Sequence, residues 1–319
     1  MATGDPSQNG QLTEIINLIN PSVENKIWPQ NLSLWGCFSG LLQGQPFLGG
    51  GFQNSIYFKK IHFLLQNDLT KNLEILEERR GAYGISVNSN KFFISGGRNE
   101  LYRGLSSTEF LKIEAKIVKS THGPNLPFTI RWHTLEKIDE KSILMIGGLQ
   151  NDSISNSTWI LTFFGENNFE VKSGPKLKFA RKEHCSGIMS KNGKKFIIVA
   201  GGIGEQFEER LNSVEILEIS PNFSTWKIGT SFFVKNHFQN LSTFSGPKLP
   251  FAISNASMVT SPNQNGVIII GGISENISKP LKSLFELHFD HEGKMAWTKL
   301  DQELNYPRAF HVSIPIKMK

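Results

Sequence analysis

Five short apolar runs, each stopped by two glycines, set the rhythm of this chain: QPFLGGG (45–51), KFFISGG (91–97), SILMIGG (142–148), KKFIIVAGG (194–202) and GVIIIGG (266–272). Each run is apolar at successive rather than alternate positions and too short for a helix between turn signals. It therefore predicts a strand buried on both faces. A polar turn and an alternating segment follow in each case: NSIYFKKI (54–61), STEFLKIEA (107–115), NSTWILTFF (156–164), NSVEILEIS (212–220) and SLFELHFD (283–290). Alternation predicts a strand with one wet face. Shorter fourth segments come next, among them NFEVK (168–172), TWKI (225–228) and AWTKL (296–300).

A second element recurs upstream of the runs. LKFARKEH (177–184) and LNYPRAFH (304–311) share a Leu, an aromatic residue two places later, Arg at the fifth place and His at the eighth. LPFTIRWH (126–133), LPFAISNA (249–256), LEERRGAY (76–83) and WPQNLSLW (28–35) are weaker copies. Their fifth places are Leu32, Arg80, Ile130, Arg181, Ile253 and Arg308, so six such elements stand against five diglycines.

Taken in order, L-x-F-x-R-x-x-H, apolar run-GG, N-S-V-E-I-L and W-K/T resemble the Kelch repeat, over roughly residues 12 to 317. The resemblance implies four-stranded blades arranged as a β-propeller, with the diglycine strand second from the axis. The expected fold class is all-β, a six-bladed propeller of Kelch type. Arg308 is followed by only eleven residues, too few to reach another diglycine, while QLTEIINLI (11–19) and NKIWPQ (25–30) read as strands lacking an inner pair. The closing blade is therefore expected to combine N- and C-terminal strands, the C-terminal one innermost. Residues 11–319 would form this one domain, with 1–10 a disordered tail. The alternative is a piece of a longer gene product with the missing strand elsewhere. The glycines read as strand ends in a crowded place, where a Cβ does not fit, rather than as a phosphate cradle.

Composition narrows the function classes. Hydrophobic residues are 39% of the 319, enough for a sizeable core. The net charge of +6 is spread thinly, with no basic stripe, which argues against a nucleic-acid partner and mildly for acidic ones. Cys37 and Cys185 fall at matching places of the first and fourth units, opposed across a six-bladed ring, so no disulfide is expected. There is no apolar run of membrane-spanning length and no leader-like N-terminal pattern, so a cytoplasmic monomer without cofactor or membrane contact is expected. Seven N-x-S/T sequons, at Asn31, Asn151, Asn156, Asn222, Asn240, Asn255 and Asn276, keep open a secreted or cell-surface glycoprotein.

The expected role is a protein-interaction scaffold and not an enzyme. Arg80, Arg181 and Arg308 fall in alternate units, and Arg131 is offset by one place. The Kelch resemblance implies that arginines near the axis recognise acidic segments of a protein partner; the same position also bonds between blades. The long connection 229–247 carries Phe232, Phe233, Phe238 and Phe244, which are candidate anchors for a partner or pack back on the ring. His288, Asp290 and His291 are the one metal-like cluster. Strand alternation points the two histidines apart, leaving a metal-dependent propeller enzyme as the weaker alternative.

Overall fold

The computed structural model describes residues 12–18, 22–27, 34–64, 73–101, 103–114, 117–205, 209–220, 227–228, 247–275 and 279–315. Among these residues every regular element is a strand, and all the sheets are antiparallel. Four sheets have four strands each, hydrogen-bonded in chain order. They are Tyr83–Asn88, Lys91–Ser95, Thr108–Glu114 and Ile117–His122; Thr134–Lys137, Ser142–Ile146, Thr158–Phe164 and Asn168–Ser173; Cys185–Lys191, Lys194–Ala200, Val214–Ile219 and Lys227–Ile228; and Ser257–Thr260, Gly266–Ile270, Leu281–Phe289 and Met295–Arg308. In each, the apolar run before the diglycine is an inner strand of its sheet, as its composition requires.

The reason is visible in the packing. Successive side chains of one strand point to opposite faces, and here each face meets another sheet. Phe93 packs with Ile143, Met145 and Phe169, while its neighbours Phe92 and Ile94 pack with Phe38 and Phe47. Leu144 and Ile146 face Ile197 and Val199; Ile198 faces Val267 and Ile269; Ile268 and Ile270 face Leu304 and Ile16. Consecutive sheets therefore stack face to face along the chain, and the N-terminal hairpin of Leu12–Asn17 and Ser22–Ile27 lies against the last of them.

The diglycines join these sheets. In all five pairs both residues have positive φ. The second donates its N–H to the carbonyl of a fixed residue in the next unit: Gly51 to Arg79, Gly97 to Ile130, Gly148 to Arg181, Gly202 to Ile253 and Gly272 to Arg308. The first leaves no room for a side chain. A Cβ on Gly201 would sit 2.4 Å from the Ile253 carbonyl oxygen.

A second set of contacts runs from unit to unit, two residues before the first strand of each of five sheets and on to Phe310. Gly81 N–H donates to Gly36 O (2.8 Å), Trp132 to Gly81 (2.8 Å), Glu183 to Trp132 (3.1 Å), Asn255 to Glu183 (2.9 Å) and Phe310 to Asn255 (3.0 Å). All six residues have positive φ, between 55° and 69°. Gly and Asn adopt that conformation easily; Trp, Phe and Glu are strained in it. The two ends of this hydrogen-bonded chain are brought together where the Trp35 and Phe310 rings stack at 5.5 Å and 3°.

Two expectations change. NSIYFKKI (54–61) is not one strand: Asn54 and Ser55 form a turn with positive φ, and the strand that joins the first sheet is Ile61–Phe63. Among the described residues no sheet unites the termini. The hairpin of Leu12–Asn17 and Ser22–Ile27 pairs only with itself, and residues 311–315 form no strand. Apolar packing of Ile16 and Leu18 on Leu304 and Leu284 takes the place of backbone pairing. The tail 1–10 lies outside the described residues, as does most of the connection 229–247, including Phe232, Phe233, Phe238 and Phe244.

Candidate functional site

Two neighbouring positions of the upstream element have opposite fates. The first is a buried seat. Arg181, fully buried, donates through Nη1 to the carbonyls of Gly201 (2.8 Å) and Ser213 (3.3 Å), and through Nη2 to Ser213 Oγ (3.0 Å) and Glu215 Oε1 (2.7 Å). Glu215, also fully buried, accepts the backbone N–H groups of Lys178 and Phe179. Arg79 repeats the arrangement with Gly96, Ser107 and Glu109. The repeat therefore aligns Arg79 with Arg181, and the sequence-based choice of Arg80 was one residue late. Burial pulls the Arg181 pKa down, and Glu215 opposes that shift by its charge and hydrogen bond. Arg308 occupies the same place in the last unit and is 6% exposed.

The next position faces outward. The Arg80 guanidinium carbon lies 4.8 Å from the ring centre of Phe52, 5.7 Å from that of Trp132 and 5.9 Å from that of Trp35. Phe310 stacks on Trp35 and meets Trp132 edge-on at 6.1 Å, and Tyr57 packs edge-on against Phe52 at 4.9 Å. The backbones of Arg80 and Arg98 bridge at 2.9 Å in both directions, and Arg98 Nε donates to the Tyr57 hydroxyl. Burial, then the Arg98 charge, lower the Arg80 pKa; Tyr57 and Glu183 partly offset them. Among the described residues no carboxylate forms an ion pair with Arg80, whereas Arg131, one unit on, is paired with Asp152. The hairpins carrying Tyr57 and Arg98 also hold exposed apolar residues, Ile56 (59%) and Leu101 (64%). A half-buried, unneutralised cation framed by flat rings suits a carboxylate flanked by an apolar side chain.

A cavity of about 120 Å3 shares no lining residue with the aromatic cluster. Its lining comes from the residues just after each chain position, including Cys37, Tyr83, Thr134, Cys185, Ser257 and His311. The histidines seal joints between units. His133 Nε2 shares a hydrogen bond with Ser95 Oγ, His184 Nε2 with Thr134 Oγ1 and His311 Nε2 with Ser257 Oγ. Burial lowers the pKa of each, His133 to about 3. Burial raises the Glu136 carboxyl to about 7, against the Ser186 Oγ hydrogen bond that favours its charged form, and raises the Cys185 thiol to about 12. Both cysteines are buried and free, and they are offset by one place rather than matched: Cys37 directly follows a chain residue, Cys185 is two places past one.

Of the sequence-derived arginines, only Arg80 belongs to the aromatic cluster. Arg181 is consumed by Glu215, Arg308 is buried, and Arg131 is neutralised by Asp152. The cluster residues Trp35, Phe52, Tyr57, Arg98, Trp132 and Phe310 were missed because they come from four separate units and share no motif. In the His288 segment, Asp290 accepts the N–H groups of Glu292 and Lys294 and closes a turn, and His291 is exposed. No group of three or more His, Cys, Asp or Glu suited to a metal ion occurs among the described residues. None of the described helical structure, there being no helix, could cross a membrane.

No protein-family model matches the chain, and no curated protein matches it. Among solved structures it is similar to the one described as "Structure of YjhT", with a TM-score of 0.62, 11% identity and 88% of each chain covered. At that identity the likeness speaks for the fold alone.

Proposed function

We propose that this chain is a Kelch-type, six-bladed β-propeller that serves as a protein-interaction module, with the cluster around Arg80 as its docking site. Support for six blades comes from six equivalent backbone positions linked head to tail, Gly36, Gly81, Trp132, Glu183, Asn255 and Phe310, the first five each two residues before the first strand of a sheet, and from the stacking of Trp35 on Phe310. In this reading the termini close the ring by side-chain packing. Support for the Kelch type comes from the diglycine strand lying second in each four-stranded sheet, with its glycines bonded to the next unit.

The observation that carries the functional reading is Arg80: cationic, half-buried, stacked on aromatic rings and without an ion-pair partner among the described residues. Aromatic residues and Arg dominate the energetic centres of protein interfaces. The partner is an acidic segment whose carboxylate meets Arg80 and whose neighbouring apolar side chain packs near Ile56 or Leu101. The propeller acts as a monomer, without cofactor, in the cytoplasm. Affinity purification of wild type beside Arg80→Ala and Trp35→Ala, quantified by mass spectrometry, tests the reading. Partners recovered with wild type are expected to drop out with both variants; equal recovery rejects the site. A secreted glycoprotein is the second reading, favoured by the sequons, and glycan mapping on natively expressed protein separates the two.

A further inference from the structure

The six linked backbone positions share one conformation and carry different residues. Gly36, Gly81 and Asn255 adopt it easily, at φ of 61°, 69° and 55°. Trp132, Glu183 and Phe310 hold it at 57°, 56° and 55°, against the preference of their side chains. For Glu183 the fold supplies a return, since its Oε2 accepts a hydrogen bond from Asn255 Nδ2 (2.8 Å). For Trp132 it supplies none of that kind. The indole Nε1–H has no hydrogen-bond partner among the described residues, and it is not sealed from solvent. The neighbouring units make way for the ring: a Cβ on Gly36 would lie 2.8 Å from Trp132 Cη2, and one on Gly81 2.8 Å from Cε2. Glycine at two equivalent positions shows that the hydrogen-bonded chain needs no side chain at 132. Trp132 is thus strained where it stands, and its one donor is unused.

What the indole touches belongs to the aromatic cluster. Phe310 meets it at 6.1 Å and 64°, and the Arg80 guanidinium carbon lies 5.7 Å from its ring centre. Phe310 in turn lies parallel to Trp35. Trp132, Phe310 and Trp35 are each half-buried, so they present a corner of two ring planes beside a cation. Given the docking role of the Arg80 cluster, on which this rests, we propose that Trp132 is a specificity residue of that site: its indole contacts the residue next to the partner's acidic group, and that residue is aromatic. Arg80 selects the acid by charge. Ring edges are positive and ring faces negative, so a third ring fits the angle between Trp132 and Phe310 through edge and face together, a preference that an aliphatic side chain lacks. The free N–H meets a hydrogen-bond acceptor of the bound segment. A rigid indole also loses little freedom when the partner binds.

Selection from a displayed random-peptide library, run in parallel on immobilised wild type, Trp132→Gly and Arg80→Ala and read by sequencing, tests the proposal. Trp132→Gly places at 132 the residue used at 36 and 81. Trp132→Asn places there the residue used at 255, and decides the matter should the glycine variant fold poorly. On wild type, acidic residues are expected to be enriched, with an aromatic residue beside them at least about threefold above its library frequency. On either Trp132 variant the acidic preference should persist and the aromatic one return to library frequency. On Arg80→Ala the acidic preference should vanish. Acidic peptides that depend on Arg80 but carry no aromatic neighbour, or that keep it on the Trp132 variants, overturn the role of Trp132 and leave the docking site standing. An acidic preference absent from wild type, or untouched by Arg80→Ala, removes the docking site itself and the proposal with it. Loss of the acidic preference on the Trp132 variants would make Trp132 a support for Arg80 and overturn the proposal, as would failure of both variants to fold.

Discussion

Arg181 and Arg80 differ less in sequence than in fate. Both come from copies of one upstream element, at neighbouring places. Arg181 has its charge cancelled by Glu215 and its donors taken by Gly201 and Ser213; Arg80 has rings on several sides and a second arginine beside it. The units without a buried arginine explain what the first kind does. At the places of Arg79 and Arg181 they carry Ile130 and Ile253. At the places of Glu109 and Glu215, both paired with the strand before the diglycine, they carry Trp159 and Phe285. Phe128 packs on Trp159 and Phe251 on Phe285. The buried ion pair of two units is thus replaced in two others by isoleucine and an aromatic ring, the ring packing on the Phe two places before the isoleucine. A buried ion pair and a well-packed apolar pair stabilise such a seat about equally, whereas half of either is costly. This marks the buried arginines as architecture and leaves Arg80 as the one with chemistry to spare.

The largest effect should come from splitting the pair. Arg181→Ile alone leaves Glu215 buried and uncompensated, and should cost about 3–5 kcal/mol in denaturant unfolding. Adding Glu215→Phe, which copies the Ile253–Phe285 seat, should recover most of that loss; no recovery would show that the seats are not equivalent. Gly201→Ala should cost more than about 1 kcal/mol, because its φ of 65° and the Ile253 carbonyl both oppose a Cβ. Arg80→Ala, by contrast, should change stability by less than about 1 kcal/mol, measured by the same unfolding curve. A loss as large as that of Arg181→Ile would erase the distinction between the two arginines.

The subtlest test uses pH. His133, His184 and His311 have pKa values depressed below the ordinary 6.5, so the unfolded chain binds their protons first. Their contribution is present above about pH 6.5 and is lost as pH falls toward the folded values. Glu136 acts in the opposite direction: raised from 4.5 to about 7, it binds its proton better when folded, and its contribution fades as pH rises through that window. Stability against pH for Glu136→Gln should therefore rise more steeply between pH 4.5 and 7 than for wild type. A superimposable curve would place Glu136 in an unperturbed environment.

The strands were legible because their chemistry is local. A run such as KKFIIVA is apolar on successive positions only because Ile197 and Val199 face one sheet and Ile198 the other. The diglycines were legible for the same reason, since Gly201 and Gly202 answer to one carbonyl a fixed distance along the repeat. The site was not. Arg80 was singled out through an alignment one residue late, and its surroundings assemble Trp35, Phe52, Trp132 and Phe310 from distant units. No periodicity records that meeting, because backbone bonds between Gly36, Gly81 and Trp132 create it. The fold of the termini was misread as well: a C-terminal strand was expected innermost in a shared blade, whereas residues 311–315 form no strand and the N-terminal hairpin meets the last sheet through side-chain packing of Ile16 and Leu18.

The central claim is that the surface around Arg80 binds a partner segment while Arg181 only builds the frame. The most direct measurement selects a binding peptide from a random library on immobilised wild-type protein and then titrates it against three proteins by calorimetry. The account predicts an acidic peptide bound by wild type and by Arg181→Ile/Glu215→Phe with affinities within about twofold, and by Arg80→Ala at least about tenfold more weakly, a loss of roughly 1.4 kcal/mol or more. Undiminished binding to Arg80→Ala, or a loss confined to the Arg181→Ile/Glu215→Phe protein, would contradict it.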